Sequence, residues 1–377
     1  MSAEEACAAI RGGILRADAN ADVRSIPLAD GGEGTARAVT LAAGGSFVKA
    51  KVTGPLGDPA EAEFGLIEGS SSEERVAVLD LASASGIELV DKERLNPMKA
   101  TSRGTGELIA AALDTGAKEL IIGIGGSATN DGGLGMLSAL GFRALDGKGQ
   151  PLGEGGESPL SAAALAQIAS IDISGADKRL KSVSIKVACD VTNPLLGENG
   201  ASAVFGPQKG ATPEMVRALD AGLARLAGAW IKAGLAQDAN QPGDGAAGGV
   251  GAALRICLGA KMESGAMLVM RCAGFFRHLP GASLVITGEG MTDGQTAGGK
   301  LCSIVARESR KAGVPVALLS GALPGDIGKL LSAYDYAVSI ACGQIGLGAM
   351  MADSRRDLAF AAENLIRAVK LGKNFPS

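Results

Sequence analysis

Histidine is nearly missing: His278 is the only one among 377 residues. A zinc site of the usual His/Cys kind is therefore not expected. A Ser-His-Asp hydrolase would rest on that one imidazole, and no G-x-S-x-G elbow accompanies it. His278 itself reads as a surface-loop residue before Pro280. Aromatic residues make up 3% of the chain, too few for the base-stacking platforms of nucleic-acid modules. The net charge is −4, which gives no attraction to DNA, RNA or an anionic membrane. No apolar run approaches the roughly 18 residues that cross a bilayer. The N-terminus lacks a basic region followed by an apolar stretch, so no secretory signal is expected. Six cysteines lie scattered at 7, 189, 257, 272, 302 and 342, without a CxxC pair. Such thiols suit a reducing, cytoplasmic setting.

Glycine, by contrast, is abundant at 57 residues, with no collagen-like period. Many of these glycines sit in one recurring arrangement. In Ser283–Lys300 a short apolar run, Leu284 to Ile286, ends at Gly288-Glu289-Gly290. A loop carrying Asp293 and Lys300 follows, and then a helical pattern from about Leu301. Strand, acidic Gly-rich loop, helix is where open α/β sheets hold ligands. Backbone N–H groups at the helix start favour an anion there. Gly294 to Lys300 has the spacing of a Walker A loop, but Leu301 replaces the Ser or Thr that would hold Mg²⁺. Similar loops recur at Ala29-Asp30-Gly31-Gly32-Glu33-Gly34, at Gly125 to Gly133, and at Cys189 to Pro194.

The length suggests two domains. Strands alternating with helices predict α/β architecture. Apolar runs at 23–28, 284–286, 314–319 and 335–340 predict one Rossmann-like parallel sheet built from both chain ends, over 1–52 and 270–377. The middle, 53–269, is then an inserted α/β domain, with a ligand cleft between the two. Ser2-Ala-Glu-Glu5 is a capping box, so a helix opens the chain. The helical pattern over 134–140 and a strand at 142–145 complete a β-loop-α-β unit after the strand at 119–124. A final helix is predicted over roughly 355–369.

The loops supply Asp, Glu, Asn, Gly and small hydroxyls, with Lys300, Lys209 and Arg103 as cations. That set suits phosphoryl transfer, in which a protein mainly positions groups and balances charge. Carboxylates hold Mg²⁺, and one accepts the proton of an attacking hydroxyl. For any single Asp the simpler reading is a helix cap or turn residue. A second reading is a dinucleotide fingerprint. Gly123, Gly125 and Ala128 fit G-x-G-x-x-A after a strand, and Asp146 stands where a ribose-binding acid would. An NAD-dependent dehydrogenase is thus the enzyme alternative, and a catalytically dead small-molecule binder the non-enzyme one.

The loops taken together resemble the bacterial-type glycerate kinases. The resemblance runs through Ile26–Thr35, Asn96-Pro97 with Thr101–Leu108, Gly123–Gly133, Asp190–Pro194, Phe205–Gly210, Gly245–Gly251 and Thr287–Thr296, in that order. It implies ATP-dependent, Mg²⁺-dependent phosphorylation of D-glycerate to 2-phosphoglycerate, with 3-phosphoglycerate as the alternative product. A monomer or homodimer is expected. It further implies Asp190, Asp293 and Lys300 as catalytic residues and Asp190, Glu289 and Asp293 as metal ligands. Substrate and nucleotide would be bound by Asp30, Gly31, Gly32, Glu33, Arg103, Gly125, Gly126, Ser127, Asn130, Asp131, Asn193, Gly288, Glu289 and Gly290. Two departures from the family pattern stand out. The family's opening strand and Pro-Asp-Ser-Phe-Lys loop are missing before the first helix, and Met291 replaces an Arg. The first departure predicts a truncated, weakly active chain.

Overall fold

The computed structural model describes residues 1–28, 34–69, 74–153, 159–292, 301–323, 328, 330–342 and 346–372. The chain divides into two units, Gly31–Leu268 and Met1–Asp30 with Val269–Ser377.

In the unit Gly31–Leu268, β1 (Ser46–Thr53) and β2 (Pro59–Ile67) form an antiparallel hairpin, paired from Ser46↔Leu66 to Thr53↔Pro59. The strands β3 (Val76–Asp80), β4 (Glu119–Gly123), β5 (Arg143–Leu145), β6 (Ser170–Asp172), β7 (Ser184–Ala188) and β8 (Lys261–Glu263) follow. One six-stranded sheet runs β1-β2-β3-β4-β7-β8. Its β3, β4, β7 and β8 are parallel. Strands buried on both faces read as unbroken apolar runs. Ala77-Val78-Leu79 and Leu120-Ile121-Ile122 are such runs, and all six residues are buried. The helix Pro213–Lys232 turns Leu219, Leu223, Leu226 and Trp230 inward at helical spacing. These join Leu108 and Ile109 of the helix Arg103–Asp114 in the core. Each fully buried side chain of this size stabilises by roughly 1.5–3 kcal/mol.

The other unit holds β9 (Val285–Glu289), β10 (Val316–Ser320) and β11 (Tyr336–Ser339), parallel and in the order β11-β10-β9. The helix Ala3–Ala17 begins at the capping box, with Ser2 and Glu5 bonding each other's backbone N–H. Its Ala9 and Ile14 pack with Leu358 and Ala362 of the helix Leu347–Gly372, and with Leu319 and Ile340.

Four expectations change. Residues 23–28 form no strand. Pro27 offers no N–H to a ladder there. The strand predicted at 48–52 belongs to the other unit, because the turn 54–58 folds it onto β2, so the unit boundary falls at 30/31 and not at 52/53. The strand at 143–145 pairs antiparallel with β6 in a separate two-stranded sheet, so no β-loop-α-β unit follows β4. The last helix starts at Leu347, eight residues before the expected start.

Candidate active site

The loop after β4 is built around buried polar groups. Asp131 is fully buried. Its Oδ2 accepts from the N–H and hydroxyl of Ser102 (both 2.8 Å) and from the Gly135 N–H (3.1 Å). Its Oδ1 accepts from the Gly133 N–H at 3.1 Å. The carboxylate therefore ties the start of the helix Arg103–Asp114 to the start of the helix Leu134–Ala139. Burial pushes its pKa up, against the four hydrogen bonds that pull it down. The sequence placed Asp131 among ligand-binding groups, whereas its oxygens here brace two loops.

A buried cation lies beneath the same loop. Lys209 is 1% exposed, and its Nζ donates to Ser127 Oγ (2.7 Å) and to the Thr129 carbonyl (2.6 Å). Desolvation lowers its pKa to about 7, with Asp131 pulling the other way. Beside it Asn130 Nδ2 donates to the buried Ser202 hydroxyl at 3.0 Å. The Oδ1 of Asn130 and the hydroxyl of Thr129 meet no partner among the described residues. The loop Gly245–Gly251 closes over this layer. Gly248 has φ +67°, and a Cβ there would stand 2.1 Å from the Thr129 carbonyl oxygen. Ala247 beside it also has positive φ, 52°. Such a conformation costs a non-glycine residue roughly 1–3 kcal/mol and persists only where packing enforces it. Gly126, at the tip of the β4 loop, is exposed, Gly125 is half-buried and Ser127 is buried.

At the end of β7, Asp190 Oδ1 accepts from Ser264 Oγ (2.8 Å) and the Gly265 N–H (3.0 Å). Asp190 lines an open depression of about 280 Å³ with Cys189, Thr192, Glu263 and Ser264. Asn193 donates from Nδ2 to the Asn199 carbonyl, and its own carbonyl accepts from Gly243 and Gly245. Arg103 opens its helix, with Nε bound to Glu107 at 2.8 Å. Its Nη groups donate to no described residue. Asp80, at the end of β3, accepts from the N–H groups of Gly34 (3.1 Å) and Ala36 (3.0 Å), which anchors the first Gly-rich loop to this sheet.

In the other unit, Glu289, Ser320 and Ser339 share one register level at the carboxyl ends of β9, β10 and β11. The buried Thr292 hydroxyl lies 2.8 Å from Glu289 Oε1 and 2.9 Å from Ser320 Oγ. Gly288 is required here, since a Cβ would stand 2.3 Å from the Leu319 carbonyl oxygen. Gly290 follows β9, and Met291 is well exposed. Asp30, Gly31, Gly32, Glu33, Asp293 and Lys300 lie outside the described residues.

The structure thus brings Gly125, Gly126, Ser127, Asn130, Asp131 and Arg103 to one end of the six-stranded sheet, and Asp190 and Asn193 to the end of β7. Lys209 and Asp80 were not among the predicted site residues. The signals were there: a Lys inside Gly206-Pro-Gln-Lys-Gly210, and an Asp ending an apolar strand. The dinucleotide reading fails on geometry. No helix begins at Gly125, and the next one starts at Leu134. Asp146 accepts from the N–H groups of Lys148 and Gln150 in a turn beyond β5, off the parallel sheet. Among the described residues, no group of three or more His, Cys, Asp and Glu converges to hold a metal ion. No described helix is long and apolar enough to cross a membrane.

Parallel strands whose carboxyl ends carry polar Gly-rich loops make this an α/β protein with the strand-end loops where such folds hold ligands. Known proteins narrow this. The Glycerate kinase family model matches residues 1–370. A Bacillus subtilis glycerate kinase is 44% identical over 374 residues, spanning 99% of this chain and 95% of that protein. An Escherichia coli glycerate 2-kinase is 47% identical over 87% of this chain and 84% of its own length. The crystal structure of a Salmonella typhimurium protein assigned as glycerate kinase 2 superposes with a TM-score of 0.87 at 42% identity, covering 100% of this chain and 96% of that one. The chain belongs to the glycerate kinase family. It is accordingly an enzyme, a kinase.

Proposed function

We propose that this chain transfers the γ-phosphoryl group of ATP to the 2-hydroxyl of D-glycerate, giving 2-phosphoglycerate, in the cytoplasm. The observation that carries the reading is 47% identity over 87% of the chain to a protein named glycerate 2-kinase. The site chemistry is compatible with it. Arg103 sits in the first turn of a helix, where a cation opposes the helix dipole. That placement makes sense when the guanidinium of Arg103 meets a substrate oxyanion. Glu107 fixes the guanidinium by its Nε and leaves the Nη edge for a carboxylate or phosphate.

Hard cations take carboxylate oxygens, and Asp190 and Glu289 each stand at the carboxyl end of a parallel strand. We assign Asp190, Glu289 and Asp293 to hold Mg²⁺, which would neutralise phosphate charge. Lys300 meets the phosphates in this assignment. Asp190 or Asp293 accepts the proton of the glycerate hydroxyl as its oxygen attacks phosphorus and ADP leaves. Asp30, Glu33, Gly31 and Gly32 complete the substrate loops.

A coupled ADP-release assay with D-glycerate and Mg²⁺ tests the reading, with the product's phosphorus resonance identifying the ester. D-glycerate-dependent ADP release and the 2-phosphate ester are expected. The 3-phosphate ester would move the transfer to the other hydroxyl, and no release would end the proposal. Asp293→Asn is expected to cut kcat by orders of magnitude with the fold intact.

A further inference from the structure

We propose that Lys209 is a positioning residue for phosphoryl transfer: from beneath the loop it fixes the Ser127 hydroxyl so that its proton is offered to a substrate oxyanion. The proposal rests on the reading of the 125–127 loop as a substrate loop.

Lys209 is too deeply buried to meet a ligand, being 1% exposed. It has no carboxylate within ion-pair distance among the described residues. Burying an ammonium this way is costly, and mere packing would be served as well by Met or Leu. What Nζ touches is specific: Ser127 Oγ at 2.7 Å and the Thr129 carbonyl at 2.6 Å. An ammonium only donates, so Ser127 Oγ must accept. The serine's own proton is then directed away from Lys209. No described acceptor takes that proton.

The surrounding backbone holds the loop still. Ile87 N–H donates to the Gly126 carbonyl and Ala128 N–H to the Ser85 carbonyl, both near 2.8–2.9 Å. The loop is therefore clamped at its sides and charged from below, with Gly126 exposed at its tip. Preorganised donors of this kind stabilise anions without reorganisation. The oxyanion has two sources, the carboxylate of glycerate or a phosphate of ATP. Among the described residues, the charged group acting on Lys209 is Asp131, itself held by four donors.

The experiment compares the wild type with Lys209→Met, Ser127→Ala and the double variant, by steady-state kinetics and by urea unfolding. Each single change is expected to lower kcat/KM at least tenfold. The double variant is expected to stay within threefold of the worse single one, because both remove one oriented proton. A rise confined to the glycerate KM assigns the carboxylate, and one confined to the ATP KM assigns the phosphate. Should Lys209→Met not fold, the pH dependence of that KM decides. In the wild type it should rise between pH 7 and 9 as Lys209 loses its charge, and in Ser127→Ala it should be flat. Unchanged kinetics in Ser127→Ala, additive losses in the double variant, or identical pH profiles would overturn the proposal alone. Absence of glycerate-dependent ADP release by the wild type would overturn the functional reading and this proposal with it.

Discussion

Lys209 makes the pH dependence of stability a direct measurement of a buried charge. Its ammonium has a pKa of about 7 in the folded chain, against 10.5 when unfolded. Between those values the unfolded chain binds a proton that the folded chain does not, so wild-type stability rises with pH through the window. The slope approaches one proton, about 1.4 kcal/mol per pH unit. Below pH 7 the full penalty is on the order of 5 kcal/mol. Lys209→Met removes the titration. It also leaves Ser127 Oγ and the Thr129 carbonyl without their donor, a cost of roughly 1–3 kcal/mol each that does not vary with pH. Cysteine works against Lys209: burial raises the pKa of Cys257 to about 12, and also raises those of Cys7 and Cys189. Their contribution is lost as pH rises through the thiol range, but it is common to both proteins. The wild-type minus variant difference therefore isolates Lys209. Urea unfolding at pH 7 and pH 9 should show that difference moving by about 2 kcal/mol in favour of the wild type. Parallel curves would mean that Lys209 keeps its charge in the folded chain across this range, as a solvated lysine does, and would refute the reasoning.

Three further outcomes follow from packing and pairing. Arg255→Met leaves the buried Asp244 carboxylate without its two guanidinium bonds of 2.7 and 2.8 Å, and should cost about 3–5 kcal/mol in urea unfolding. Gly248→Ala drives a methyl toward the Thr129 carbonyl in a left-handed conformation. It should lower stability by about 2 kcal/mol or more and reduce kcat/KM in the same protein, since the loop it displaces covers Asn130. Thr292→Val removes the hydroxyl shared by Glu289 and Ser320. A loss of about 1–2 kcal/mol is expected, together with reduced turnover if Glu289 serves the reaction.

Local pattern carried much of the architecture. The runs Leu120–Ile122 and Val316–Leu319 are apolar without a break because both faces of a parallel strand are covered. The capping box at Ser2 and Glu5 needs only residues three apart, and it formed as read. What failed depended on partners distant in sequence. Whether 48–52 joined one sheet or the other was decided by its turn onto β2, and whether 143–145 extended the main sheet by β6, some 27 residues on.

The same distinction governs the candidate site. An Asp in a Gly-rich loop after a strand reads identically whether it faces a ligand or caps a helix. Asp131 is settled as a brace by Ser102, 29 residues away, and Lys209 as a buried cation by Ser127, 82 residues away. Neither partner is visible from spacing. There is a physical reason why such groups must exist. A loop of glycines pays the largest backbone entropy on ordering and has few side chains to pack. To hold N–H groups in a fixed array for an anion, it needs charged groups beneath it that bond several segments at once. Asp131 and Lys209 do this from opposite signs, one gathering N–H and O–H donors, the other a hydroxyl and a carbonyl. On this argument, acidic residues in such loops divide by burial: the enclosed ones, such as Asp131, order the loop, while an exposed one such as Asp190 keeps an edge open to solvent.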